Sequence, residues 1–158
     1  MSFMTPDEIR TARYDATTAE RWHGRSFVVA PSDWRDALWT LAGDEHAEVR
    51  VPPSALDGIS VGAMLAASAL RDAGIGLALS GAGRPEHLRW LRMLPWSAVI
   101  AHPALLRSAS APDRARVVES WADAACRRSL QFVAAVDNTP ELPFLRAAGF
   151  THAEIAAA

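Results

Sequence analysis

The sequence predicts an α/β fold built on roughly five to six mostly parallel strands with flanking helices. Three observations carry this reading. Short apolar runs recur from Phe27 to Ile155, each about the length of a buried strand. Between them lie stretches whose apolar residues fall at helical spacing. Glycine or proline stands at most of the switches between the two patterns. A chain of 158 residues suits one such domain with a real core.

The stretch from Thr5 to His23 reads as a helix. Thr5 suits the cap, Pro6 the first helical position, and Asp7 and Glu8 the positive end of the dipole. Its stripe of Ile9, Ala12, Ala16 and Ala19 is narrow, and Gly24 stops it. The chain therefore divides into an N-terminal helical segment, 1–24, and an α/β domain, 25–158.

Phe27 to Ala30 reads as a strand closed by Pro31, and Trp34, Ala37, Leu38 and Leu41 as a helix ended by Gly43. Glu48 to Val51 is a strand stopped by Pro52 and Pro53. Ile59 to Leu70 is a helix with Gly74 as its C-cap, followed by a strand from Ile75 to Leu79 and the turn Ser80-Gly81-Ala82-Gly83. A short helix from Pro85 carries Leu88, Leu91 and Leu94 at a spacing of three. Ser97 to Ala101 is a strand, a longer helix opens at Pro112, and Gln131 to Val136 is the next strand. A last helix starts at Thr139-Pro140-Glu141 and stops at Gly149, before a short strand from Phe150 to Ile155.

Composition excludes several classes. A net charge of −2 argues against a dedicated nucleic-acid binder. A single cysteine, Cys126, cannot form an internal disulfide and suits a reducing compartment. No apolar run approaches the ~20 residues of a membrane span, and the N-terminus lacks a basic leader. A cytoplasmic protein without membrane contact is the expectation.

Several segments in order resemble the EAL domain family. Val49-Arg50-Val51-Pro52-Pro53-Ser54-Ala55-Leu56 sits where that family carries a strand ending in an ELTES-like motif. Leu70 to Leu79 is similar to its "LR-x-x-G-x-x-x-AL" passage, and Leu88, Leu91, Leu94 and Pro95 to its "L-x-x-L-x-x-LP". Val133-Ala134-Ala135-Val136-Asp137-Asn138, followed by Phe144-Leu145-Arg146-Ala147-Ala148-Gly149, looks like "AEGVEN … FLRALG". The resemblance implies a (β/α) barrel of the TIM type, hydrolysis of cyclic di-GMP and a place in bacterial signalling. Since a complete barrel takes ~250 residues, the chain is expected to form an incomplete or modified barrel lacking its N-terminal part. Its open edges would then be covered by the N-terminal helix or by another chain.

Hydrolysis by this family needs divalent cations held by carboxylates, and the resemblance does not deliver them. No Glu-Ala-Leu precedes Val49, and the asparagine of the preceding strand falls near Val29 or Ala30. The ELTES glutamate aligns with Pro53, and its polar neighbours with Arg50 and Pro52. The paired aspartates align with Ser80 and Gly81, the strand lysine with Ile100 and a further aspartate with His102. Asp137 alone is a carboxylate stand-in, and Glu154 replaces the terminal glutamine. The expectation is a degenerate member with no catalytic residues, no bound metal and no cofactor. If cyclic di-GMP still binds, Arg84, Arg107 and Asp137 are the residues to hold it.

Other constellations are weaker. Ser80-Gly81-Ala82-Gly83 is only G-x-G and reads as a tight turn. Ser80, His102 and Asp137 could be drawn as a hydrolase triad, but no G-x-S-x-G elbow is present. The five histidines show no metal spacing. Trp34 and Trp39 are about 500° apart on a helix, so one must face away from the core, and Trp90 lies off the stripe of Leu88, Leu91 and Leu94. Trp34, Trp39, Trp90 and Trp96 are the candidate interaction surface. The sequence thus predicts an inactive, regulatory EAL-like module acting through a protein partner or self-association. Its alternatives are a sensor that binds cyclic di-GMP without cutting it and a residual phosphodiesterase.

Overall fold

The computed structural model describes residues 7–108, 115–137 and 141–156. Seven strands among them close a barrel in chain order: β1 (Asp7–Asp15), β2 (Arg21–Val28), β3 (Ala47–Val51), β4 (Gly76–Ala82), β5 (Ala98–Ala101), β6 (Gln131–Val136) and β7 (His152–Ala156). Strands β2 to β7 run parallel to one another. Strand β1 is antiparallel to both of its neighbours, β2 and β7. Outside the wall lie α1 (Trp34–Leu41), α2 (Val61–Asp72), α3 (Pro103–Ser108), α4 (Ala115–Arg127) and α5 (Leu142–Ala147).

The largest departure from the sequence reading is at the start. Residues expected in a helix from Thr5 to His23 form instead the hairpin of β1 and β2, and the expected boundary at 24 falls inside β2. The turn is set by Asp15, whose Oδ1 accepts the backbone N–H groups of Thr17 and Thr18 at 2.7 and 3.0 Å. The strand signal was masked because the buried positions of β1, Thr11 and Arg13, are polar. Apolar–polar alternation identifies a strand only where the buried face is apolar. Because β1 joins β2 to β7, the sheet has no free edge, so neither a covering helix nor a covering chain is needed to complete it.

From α1 onward the reading is close. Helix α1 buries Trp34, Ala37 and Leu41, and α2 is capped by Ser60, whose side chain accepts from the Ala63 N–H at 3.1 Å. The turn expected at Ser80 to Gly83 is shorter, because β4 runs on to Ala82 over a bulge at Gly81, whose φ is 76°. Leu88 and Leu91 lie on a 3-10 helix, Pro85–Arg92, the helix whose period is three, and Leu94 follows just beyond its end. Pro112, Thr139 and Pro140 lie outside the described residues; α4 is described from Ala115 and α5 from Leu142.

The main core fills the space between wall and helices, with Trp34, Trp121, Phe132, Phe150 and Leu70 fully buried. Phe132 and Phe150 stack at 4.4 Å between ring centroids. Gly149 closes α5 with φ 101°, and a Cβ there would stand 2.7 Å from that of Ala122. Gly149→Ala should therefore cost about 1–3 kcal/mol from overpacking and strain, read as a lower urea midpoint at unchanged m-value.

Three of the four surface tryptophans belong to this core, correcting the sequence reading. Trp34, Trp90 and Trp96 are buried. Neighbouring backbone holds two of them: the Trp34 indole N–H donates to the Val29 carbonyl at 3.1 Å, and that of Trp96 to the Trp90 carbonyl at 2.8 Å. A tryptophan off the apolar stripe of its own helix was buried by a neighbouring element. Trp39 alone points outward, with 78% of its surface exposed.

Candidate functional site

Inward positions of the barrel wall divide into an apolar and a charged part. Ala78, Ala98, Ile100 and Val133 form a small apolar cluster separate from the main core. The alanine side chains of β4 and β5 leave room in the lumen for long side chains from β1, β3 and β7. Those are Arg13 of β1, Glu48 and Arg50 of β3 and Glu154 of β7, all buried.

These four form one cluster. The Arg13 guanidinium forks onto Glu48, with Nη1 2.9 Å from Oε2 and Nη2 3.0 Å from Oε1. Its Nη2 also donates to Glu154 Oε2 at 2.9 Å, and its Nη1 to Gln131 Oε1 at 3.0 Å. Arg50 forks onto both oxygens of Glu154 at 2.8 and 2.5 Å, sharing Oε2 with Arg13. Ser26 Oγ donates to Glu48 Oε1 at 3.2 Å. Arg50 Nε lies 3.4 Å from the same oxygen without hydrogen-bond geometry. The cluster thus ties β1, β2, β3, β6 and β7 together across the axis.

Two positive and two negative groups make the cluster neutral, the condition under which buried charge is tolerated. The planar forks suit arginine, the residue behind every basic side chain in this lysine-free sequence. Burial pushes the Glu154 carboxyl up, but its hydrogen bond to Arg50 and the charges of Arg50 and Arg13 outweigh burial and hold it below the ordinary range. Burial likewise opposes the charge of Arg13, and Glu48 with Glu154 reverses that and raises its pKa.

In the sequence Arg50 and Glu154 stand out only as isolated departures from the family pattern, and Arg13 and Glu48 do not stand out at all. A signal was present in Glu48-Val49-Arg50-Val51, where charges alternate with valines just before two prolines. In a strand, that places both charges on one face.

The expected ligand residues occupy the segments that follow successive parallel strands, on the carboxyl side where barrels of this kind place their sites. Arg84 follows β4, Arg107 lies in α3 after β5, and Asp137 directly follows β6; all three are exposed. His102, which follows β5, accepts the Ala104 backbone N–H on Nδ1 at 3.0 Å. The nitrogen a triad aspartate would hold is therefore engaged, and the paper triad with Ser80 and Asp137 lacks its orienting bond. Among the described residues no group of three or more His, Cys, Asp or Glu side chains converges as a metal site. No helix among them is long and apolar enough to cross a membrane.

No family model and no curated protein matches the sequence. Solved structures do. The EAL domain of Mycobacterium smegmatis DcpA superposes with a TM-score of 0.69 at 16% identity, over 96% of this chain and 90% of that one. The EAL domain of FimX from Pseudomonas aeruginosa, bound to c-di-GMP, gives 0.73 at 6% identity, over 94% and 87%. The phosphodiesterase PaMucR in complex with c-di-GMP gives 0.66 at 14% identity, over 94% and 88%. A seven-strand barrel with one antiparallel stave and this breadth of superposition identify the architecture: the chain has the fold of an EAL domain.

Proposed function

We propose that the chain is a non-catalytic EAL-like domain that acts in bacterial signalling as a regulatory protein-interaction module. The observation that supports this most is the state of the lumen carboxylates. Glu48 and Glu154 are each hydrogen-bonded to guanidinium groups, which leaves them poor ligands for a hard cation. Pro53, Ser80, Gly81 and His102 stand where carboxylates would be needed, so these residues do not fit a pair of divalent metals. No hydrolytic step is therefore assigned to them.

The interaction reading draws on exposed apolar side chains of two packed helices. Trp39 of α1 is 78% exposed, and Val61 and Leu65 of α2 are 72% and 67% exposed. Val61 and Leu65 are one turn apart on the same face of α2. On the helical wheel Trp39 lies opposite the buried side of α1, so folding of the domain gains little from it. Trp39→Ser with Leu65→Ser should leave stability within about ±0.5 kcal/mol for each change. The same pair should abolish stoichiometric capture of a partner from native extract, or the shift to a dimer in sedimentation. A variant that keeps full capture would sink this assignment.

A second reading, a sensor that binds cyclic di-GMP without cutting it, is favoured by Arg84, Arg107 and Asp137 in the segments that follow β4, β5 and β6 and by fold neighbours bound to c-di-GMP. Calorimetry with the dinucleotide separates the two, since saturable heat lost in Arg84→Ala would support the sensor.

A further inference from the structure

On the flank of the barrel, among the segments that follow β4 and β5, lies a cavity of about 520 Å³. Its wall includes Leu105 of α3 and Val117 of α4, both part of the outer core and not of the lumen cluster. It is therefore separate from the charged axis. Gly81 and Gly83 at the end of β4 and His102 at the end of β5 form another side, so the cavity opens at the carboxyl ends of adjacent parallel strands. Its size falls within the range that takes a small metabolite, roughly 300–1,000 Å³.

Among the described residues that line this cavity, the polar side chains are Arg84, His87 and His102, and none is acidic. Arg84 stands at the rim with 76% of its side chain exposed, and its ion pair with Glu86 is a long 3.9 Å between two solvated groups. The bond from Ala104 N–H to His102 Nδ1 requires that nitrogen to be unprotonated, so the ring carries its hydrogen on Nε2 and presents a donor. His87, the third polar side chain, has a buried Nδ1 with no hydrogen-bond partner among the described residues. A buried ring nitrogen without a partner is costly, and a ligand atom would satisfy it. Leu105 and Val117 would meet an apolar body.

From this we infer that the flank cavity binds a small molecule with an oxyanion head, carboxylate or phosphate, on an apolar body. Arg84 and His102 hold the head, and His87 contributes a further polar contact. The site does not depend on the fate of the axial carboxylates.

The test is a backbone-amide NMR titration of the full chain with three probes of one shape: benzoate, phenyl phosphate and neutral benzyl alcohol. Both anions, or one of them, should move the resonances of Gly81, Gly83, His102 and Leu105 saturably, and benzyl alcohol should not. The better anion identifies the head group. Arg84→Ala, at an exposed position, should fold normally and weaken the anion about tenfold or more, a change of about 1.4 kcal/mol. His87→Phe should also weaken it, with the unfolding midpoint retained. The inference is overturned if neither anion moves these resonances, if benzyl alcohol moves them equally, or if Arg84→Ala binds as tightly as the parent.

Discussion

Arg13→Met is expected to lower the unfolding free energy by about 3–5 kcal/mol, the cost of breaking a buried ion pair by removing one partner. That is a large part of the about 5–15 kcal/mol that holds a typical domain folded. The reason lies in the arithmetic of the lumen: without Arg13, Arg50 alone faces both Glu48 and Glu154. Urea unfolding measures the loss. Removing the facing charge as well, in Arg13→Met/Glu48→Leu, should recover part of it, because the cluster again carries one charge of each sign. A double variant weaker than the sum of its single changes would contradict the pairing.

The same cluster sets the response to acid. Glu154 is held below its ordinary value of 4.5, so the folded state binds its proton more weakly than the unfolded chain does. Its contribution to stability is therefore complete above that value and disappears as pH falls through the lower, folded pKa. Glu154→Gln should flatten the acid limb of the stability profile while lowering stability at neutral pH.

Trp34→Ala is the second large effect, expected at about 3–5 kcal/mol. The indole is fully buried and its N–H is bonded to the Val29 carbonyl, just where the chain leaves β2 for the α1 layer. Substitution removes apolar burial, opens a cavity and deprives that carbonyl of its donor. Trp39→Ala, on the same helix, should lie within about 0.5 kcal/mol of the parent. Thermal unfolding of the two single variants makes the comparison directly, and equal losses would refute the placement of these rings.

What was legible from sequence follows from which physical signals are local. Strands β3, β5 and β6 are short apolar runs whose limits in the sequence agree with the structure to within one residue, whereas β4 runs three residues past its expected end at Leu79. Helix α2 carries its own cap and C-terminal glycine. The hairpin was misread because its inward face is charged or polar. That pattern makes sense only when Arg13, Glu48, Arg50 and Glu154, drawn from three strands and up to 141 residues apart, are seen to meet. The tryptophans failed for a related reason, since wheel positions on one helix say nothing about the element on its other side. Arg84 and His102 were each noticed, yet only the end-to-end register of β4 and β5 brings them to one cavity.

With the lumen carboxylates committed to arginines, the domain should not hydrolyse cyclic di-GMP. Prolonged incubation of the full chain with cyclic di-GMP and Mg²⁺ or Mn²⁺, followed by chromatography, tests it most directly. No linear dinucleotide should form above the protein-free control. Product that accumulates with enzyme concentration and disappears in Glu154→Gln would contradict it.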